Sequence, residues 1–254
     1  MGNEKLKLEL SNLILKEKRF LSKNVHDNKL KQKVYEKIPD NLEDLLNKTF
    51  VKAFEMVFVN GTGIIEKTFD KEKIALNHDV NKFMLDYKEN RSNIKKIDKE
   101  SKKSNFVSNV FTTSVGVGMG ALGLGIPDIP IFVATVLRGI YQIVLSYGYD
   151  YEVKEEKIYI LRLIRAALAK DSKEKNKYNE ELEKENYYNL SLEKEINITA
   201  KVMSEALLLE KFIQGIPVVG IVGGAVNHSI YKKITNFAMI KYKKRYILNK
   251  LKEK

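Results

Sequence analysis

The chain has 254 residues, 44% of them apolar, a formal charge of +12 and no cysteine. That apolar content can fill one large core or two modest ones, so disorder throughout is excluded. The missing cysteine excludes a disulfide framework, a thiolate metal site and a cysteine nucleophile, and the excess of lysine favours an anionic partner, either nucleic acid or the acidic leaflet of a membrane.

The opening run MGNEKLKLELSNLILKEKRF is charged from its fourth residue and has no continuous apolar stretch, so it does not read as a secretory leader. An acylation signal at Gly2 would want Ser or Thr where Leu6 stands. From Leu6 to Leu21, apolar residues recur mainly at helical spacing among lysines and glutamates, as in an amphipathic helix. Residues 28–38 continue that pattern to Pro39, after which Asp40 or Asn41 caps a helix over residues 42–59. Asn60 to Gly63 breaks or kinks it, and Ile64, Ile65 and Phe69 resume it. Residues 79–103 are strongly charged and read as a solvated helix or connector.

The middle of the chain differs. Residues 104–127 carry no charge, and Gly116, Gly118, Gly120, Gly123 and Gly125 sit among apolar residues. The two prolines of IPDIP, residues 126–130, should start a fresh helix at Ile131. That helix is apolar on nearly every face except at Arg138, which predicts burial. Residues 152–170 form another amphipathic helix, and the charged, low-complexity residues 170–190 read as an exposed extension or loop. A helix over 192–212 leads to Pro217 and a second glycine-rich apolar run, followed by a basic helical tail over 232–254. With no strand run bounded by hairpin turns, the expected fold is all-α: one multi-helix domain over residues 1–254 with glycine-rich apolar helices packed at its centre.

Gly118, Gly120 and Gly123 satisfy GxGxxG, but Ile143 and Val144 stand where a ribose-binding acid would be, and no βαβ alternation surrounds the motif. Spacing favours packing instead. Gly116 and Gly120, Ala121 and Gly125, and Gly220 and Gly224 are each four apart, which lets another backbone approach one helix face. As bilayer spans these segments are diluted by polar residues, and residues 129–148 carry Arg138 near the centre, where insertion costs about 3 kcal/mol.

His26, His78 and His228 form no HExxH, and neither GxSxG nor GxxxxGK[ST] occurs, so no catalytic motif, metal site or cofactor is indicated. The polar residues set in apolar surroundings are Asp128, Arg138, Tyr147, Tyr149, Asp150, Asn227, His228 and Arg245. Arg138 is expected to pair with Asp128 or Asp150, either as a structural ion pair or as part of a cleft for a headgroup or small ligand. In the tail, Lys241, Lys243 and Lys244 are candidate contacts to a membrane surface, beside apolar Ile234, Phe237, Ile240 and Ile247.

IPDIP at 126–130, the apolar helix with Arg138, YGYD at 147–150, IPVVG at 216–220, GGAVNH at 223–228 and AMIKYKKRY at 238–246 together resemble the EcsC family, with a looser likeness back to KIP at 37–39. That family is named for a bacterial protein encoded beside an ABC transporter. The resemblance implies a helical bacterial protein connected with a transporter or the envelope, and supplies no catalytic residues. The expected function is therefore an accessory or binding protein, cytoplasmic and held peripherally or conditionally inserted at the cytoplasmic membrane. Its partners would be anionic lipid or a membrane protein such as an ABC transporter. The alternatives are an enzyme of undefined class near Asp128, Arg138 and His228, and a nucleic-acid binder, which lacks a helix-turn-helix, RNP motif or zinc pattern.

Overall fold

Apolar residues at helical spacing become helices wherever the chain is described, and no strand occurs among the described residues. The computed structural model describes residues 2–23, 40–60, 63–88, 91–104, 128–184, 187–213 and 224–253. The elements are α1 (Gly2–Ser22), α2 (Asp40–Asn60), α3 (Gly63–Glu66), α4 (Lys71–Tyr87), α5 (Arg91–Ser104), α6 (Asp128–Ser146), α7 (Lys154–Leu168), α8 (Ser172–Glu183), α9 (Leu192–Ile213) and α10 (Gly224–Lys252). The helix expected over 28–38, the five glycines from Gly116 to Gly125, and Pro217 with Gly220 lie outside the described residues.

Helix α6 is the centre. Ile129, Val133, Val136, Leu137, Ile140, Tyr141 and Val144 are fully buried on it, and α2, α4, α5 and α10 pack around it. Each such side chain contributes about 1.5–3 kcal/mol through burial. α6 is long and apolar enough to cross a membrane, and 89% of its window Ile129–Ser146 is buried within the fold, so a core position accounts for its composition. α7 forms a second centre under α8, α9 and α10. α10 joins the two, because it packs on α1, α5, α6, α7 and α9.

Two described glycines set close approaches. A Cβ at Gly139 of α6 would stand 2.6 Å from the Tyr231 hydroxyl of α10, so the absent side chain sets how near those helices lie. Gly148 ends α6 in the left-handed region at φ 77°. The Tyr149 N–H donates to the Val144 carbonyl and the Gly148 N–H to the Leu145 carbonyl, a Schellman closure that satisfies the last carbonyls of the helix. The buried His78 ring of α4 lies against Gly148, where a Cβ would meet Nε2 at 2.3 Å, and its Nδ1 is 3.0 Å from the Ser146 carbonyl oxygen.

Within residues 170–190, expected to be an exposed extension or loop, 172–183 form a helix packed on α7. Asp171 caps α8, its carboxylate accepting the Glu174 N–H at 2.9 Å, and α8 packs on α7 with Leu182 and Lys175 buried. Lys175 donates to the Lys23 carbonyl past the end of α1.

The basic tail, expected to lie on a membrane surface, packs into the fold. Lys241, at 2% exposure, donates to Glu17 of α1 at 2.6 Å, Asn179 of α8 at 2.9 Å and Glu183 of α8 at 2.6 Å. Lys243 is buried against Glu9 of α1 and Asp98 of α5, and Lys244 bonds both Glu17 and Glu183. These three lysines therefore bind helices together, each engaged by carboxylates of neighbouring helices. On α7, Arg162 and Arg165 are buried on Glu195 of α9.

Two measurements check this packing. Gly148→Ala should lose about 2 kcal/mol or more in chemical unfolding, since an alanine is strained at that φ and its methyl meets the His78 ring; a loss under about 0.5 kcal/mol would refute the close approach. Glu195→Gln should cost about 3–5 kcal/mol by leaving two buried guanidiniums without their carboxylate, and a parent-like transition would contradict the pairing.

Candidate functional site

Among the described residues expected to form one polar cluster, Arg138 stands apart from Tyr149 and Arg245. Arg138 is buried at mid-helix on α6, where its Nε donates to the Thr68 hydroxyl at 3.0 Å and its Nη2 to the Thr68 carbonyl at 3.1 Å. Burial lowers its pKa. The expected pairing with Asp150 is not made: Asp150 is exposed, and its carboxylate accepts the Glu152 N–H at 2.9 Å. The side chains of Asp128 and Asn227 lie outside the described residues, and His228 is exposed on the first turns of α10. Neither of the two large clefts is lined by Arg138 or His228, and among the described residues no three His, Asp or Glu side chains gather as metal ligands.

Tyr149 and Arg245 do come together. The Arg245 guanidinium lies over the Tyr149 ring at 4.1 Å and the Tyr159 ring at 4.9 Å, and its Nη1 donates to both oxygens of Glu156 at 2.9 and 2.8 Å. Tyr242 donates to the same carboxylate at 2.6 Å. Burial opposes the charge on Arg245, but Glu156 outweighs it and holds the pKa above the ordinary value. This cluster borders a cleft of about 490 Å³ between α7, α8 and α10. Its cations Lys241 and Lys244 already serve Glu183, whose pKa burial would raise and whose hydrogen bonds from the two lysines pull down to about 2. Lys184 and Lys252 also line it beside Glu155, so its cations outnumber its acids, but Lys241, Lys244 and Arg245 are held by Glu183 and Glu156.

A second cleft, of about 630 Å³, lies between α1 and α5. Lys16 and Arg19 stand one turn apart on α1, and Lys95 and Lys99 one turn apart on α5. All four are exposed, and none has a carboxylate partner among the described residues. The acids that share the cleft, Glu9 and Asp98, are both engaged by Lys243 from behind. Leu15 adds an apolar wall, exposed at 54%, and Leu8 lies two turns away on α1. Four like charges around one concavity repel one another, so an anion that enters relieves that repulsion as well as meeting its own charge. Lysine and arginine of this kind hold phosphate groups, and each basic residue near an anionic surface is worth about 1 kcal/mol.

This cleft was not legible as a site. The reading of residues 79–103 as a charged, solvated stretch found the lysines of α5, and the amphipathic pattern over 6–21 found α1, but their juxtaposition depends on packing across some eighty residues of chain. Spacing such as Lys16 with Arg19 and Lys95 with Lys99 is the only local signal, and it is common on solvated helices.

Comparison with known proteins gives no reaction. Uncharacterized protein YdbA of Bacillus subtilis (strain 168) is 31% identical to this chain over 146 residues, covering 54% of this chain and 52% of that protein. The chain thus spans about half the length of that relative. No solved structure matches. The pattern of the EcsC protein family matches residues 12–247, nearly the whole of the helical fold described above, and the chain therefore belongs to the EcsC protein family.

Proposed function

We propose that this chain is a helical accessory protein that binds the anionic face of the cytoplasmic membrane through the cleft between α1 and α5. The observation that supports this reading is the contrast in how cations are used. Lys241, Lys243 and Lys250 of α10 and Arg162 and Arg165 of α7 are buried on carboxylates, whereas Lys16, Arg19, Lys95 and Lys99 converge without one among the described residues. Lipid phosphates match several such cations at once, and exposed Leu8 and Leu15 on α1 favour an interface where headgroups meet acyl chains over a nucleic-acid backbone. A membrane protein such as an ABC transporter, the partner suggested by the naming of the family, would be met at the same surface. No observation supports the enzymatic alternative at Asp128, Arg138 and His228, since Arg138 is closed over by Thr68.

Flotation with vesicles tests the proposal. The chain should float with phosphatidylglycerol–phosphatidylcholine vesicles at low salt, leave them as salt rises, and ignore pure phosphatidylcholine. The variant carrying Lys16→Gln, Arg19→Gln, Lys95→Gln and Lys99→Gln should melt like the parent and bind about 100-fold more weakly or worse, given about 1 kcal/mol for each cation. Equal binding by parent and variant would refute the cleft as the contact.

A further inference from the structure

Helix α4 is apolar on two faces. One face, with His78 and Leu85 buried, belongs to the core. The other carries Leu76, Val80, Phe83, Met84 and Tyr87, spaced by four, seven, eight and eleven residues from the first, and so aligned along a single stripe. Their exposures are 63%, 53%, 69%, 37% and 82%. Single exposed apolar residues are ordinary, but a continuous row of five large ones marks a surface that something else covers. Among the described residues nothing does.

What covers it follows from the charge beside it. α4 itself is nearly balanced, with Glu72 and Asp79 along one edge of the stripe against Lys73 and Lys88. Its neighbour α5 is not: Lys95, Lys96 and Lys99 stand exposed on the face opposite buried Ile94 and Ile97. α4 and α5 pack on each other and both pack on α6, so the exposed stripe of the one and the exposed lysines of the other lie on adjacent helices. An apolar stripe next to a row of lysines matches the acyl chains and anionic headgroups of one bilayer leaflet. Tyr87, the most exposed of the five, ends the stripe with a ring that can lie at headgroup depth. A second copy of this chain fits less well, because its own charge of +12 would set like charge against like.

We propose that α4 is the inserting element: its outer stripe enters the boundary between headgroups and acyl chains while the lysines of α5 hold the headgroups. This rests on the membrane reading above and goes beyond it, since the cleft between α1 and α5 could bind headgroups with no part of the chain entering the apolar layer.

The chain has no tryptophan, so one introduced indole reports alone. Phe83→Trp places it in the stripe, and Tyr188→Trp places it at another exposed position, on the connection between α8 and α9. With phosphatidylglycerol vesicles bearing brominated acyl chains, emission from Phe83→Trp should shift to the blue and be quenched, and emission from Tyr188→Trp should do neither. Leu76→Ser with Val80→Ser should weaken vesicle binding at least tenfold, and the binding that remains should be more sensitive to salt. Flotation of the Phe83→Trp protein with emission unshifted would overturn insertion and leave the headgroup contact standing. Absence of flotation at low salt would overturn both. Emission already blue without vesicles and unchanged by them would mean that another segment of the chain or a second copy covers the stripe, and would also overturn the proposal.

Discussion

A cation taken out of water needs acceptors in place of it, for most of those buried in α7 and α10 the acceptor is a carboxylate, and the arrangement of these helices depends on that constraint more than on any single apolar contact. α10 carries Lys241, Lys243 and Lys250 into the fold, and they find acids on four other helices: Glu17 on α1 and Glu183 on α8, Glu9 on α1 and Asp98 on α5, and Asp86 on α4. Apolar packing brings helices together at many registers of similar energy. A buried lysine accepts few, since one turn of slippage strands both charges. We infer that these pairs fix the register of α1, α4, α5 and α8 around α10, while Glu195 does the same for α7 and α9.

The same pairing leaves a remainder that has consequences. Acids recruited into the interior are engaged there, so the outer faces of α1 and α5 keep cations with no carboxylate partner among the described residues. Lys243 shows this directly, because it draws Glu9 and Asp98 inward from the cleft in which Lys16, Arg19, Lys95 and Lys99 stand. On the proposed reading, an interior ion pair thereby prepares a basic surface for anionic lipid, with the apolar stripe of α4 beside it.

The helical class, the buried character of α6 and the start of α2 near Asp40 were all legible, because hydrophobic period, proline and capping residues act locally. α8 was legible in principle: Asp171 followed by Glu174 is a capping pattern, but charge density masked it as a loop. The lysines of the tail were misread for a different reason. Ile234, Phe237 and Ile247 are buried as their spacing implies, yet α10 is enclosed on several sides, so the lysines between them are buried too. Their partners lie 58 to 234 residues away in sequence, where no local pattern points to them. Arg138 was recognised as a charge in apolar surroundings, but its contact with Thr68 involves a hydroxyl and a carbonyl, neither of which stands out in a sequence.

The central claim is that the basic residues divide into a set that holds the fold and a set that meets lipid. Measuring melting temperature and vesicle affinity side by side for two neutralised variants tests it most directly. In one variant Lys241, Lys243 and Lys244 become Gln; in the other Lys16, Arg19, Lys95 and Lys99 do. The account predicts a crossed result, with the first variant losing stability and the second keeping its melting temperature while losing the membrane. A first variant that melts like the parent yet no longer binds vesicles would contradict it, returning the anchor to α10.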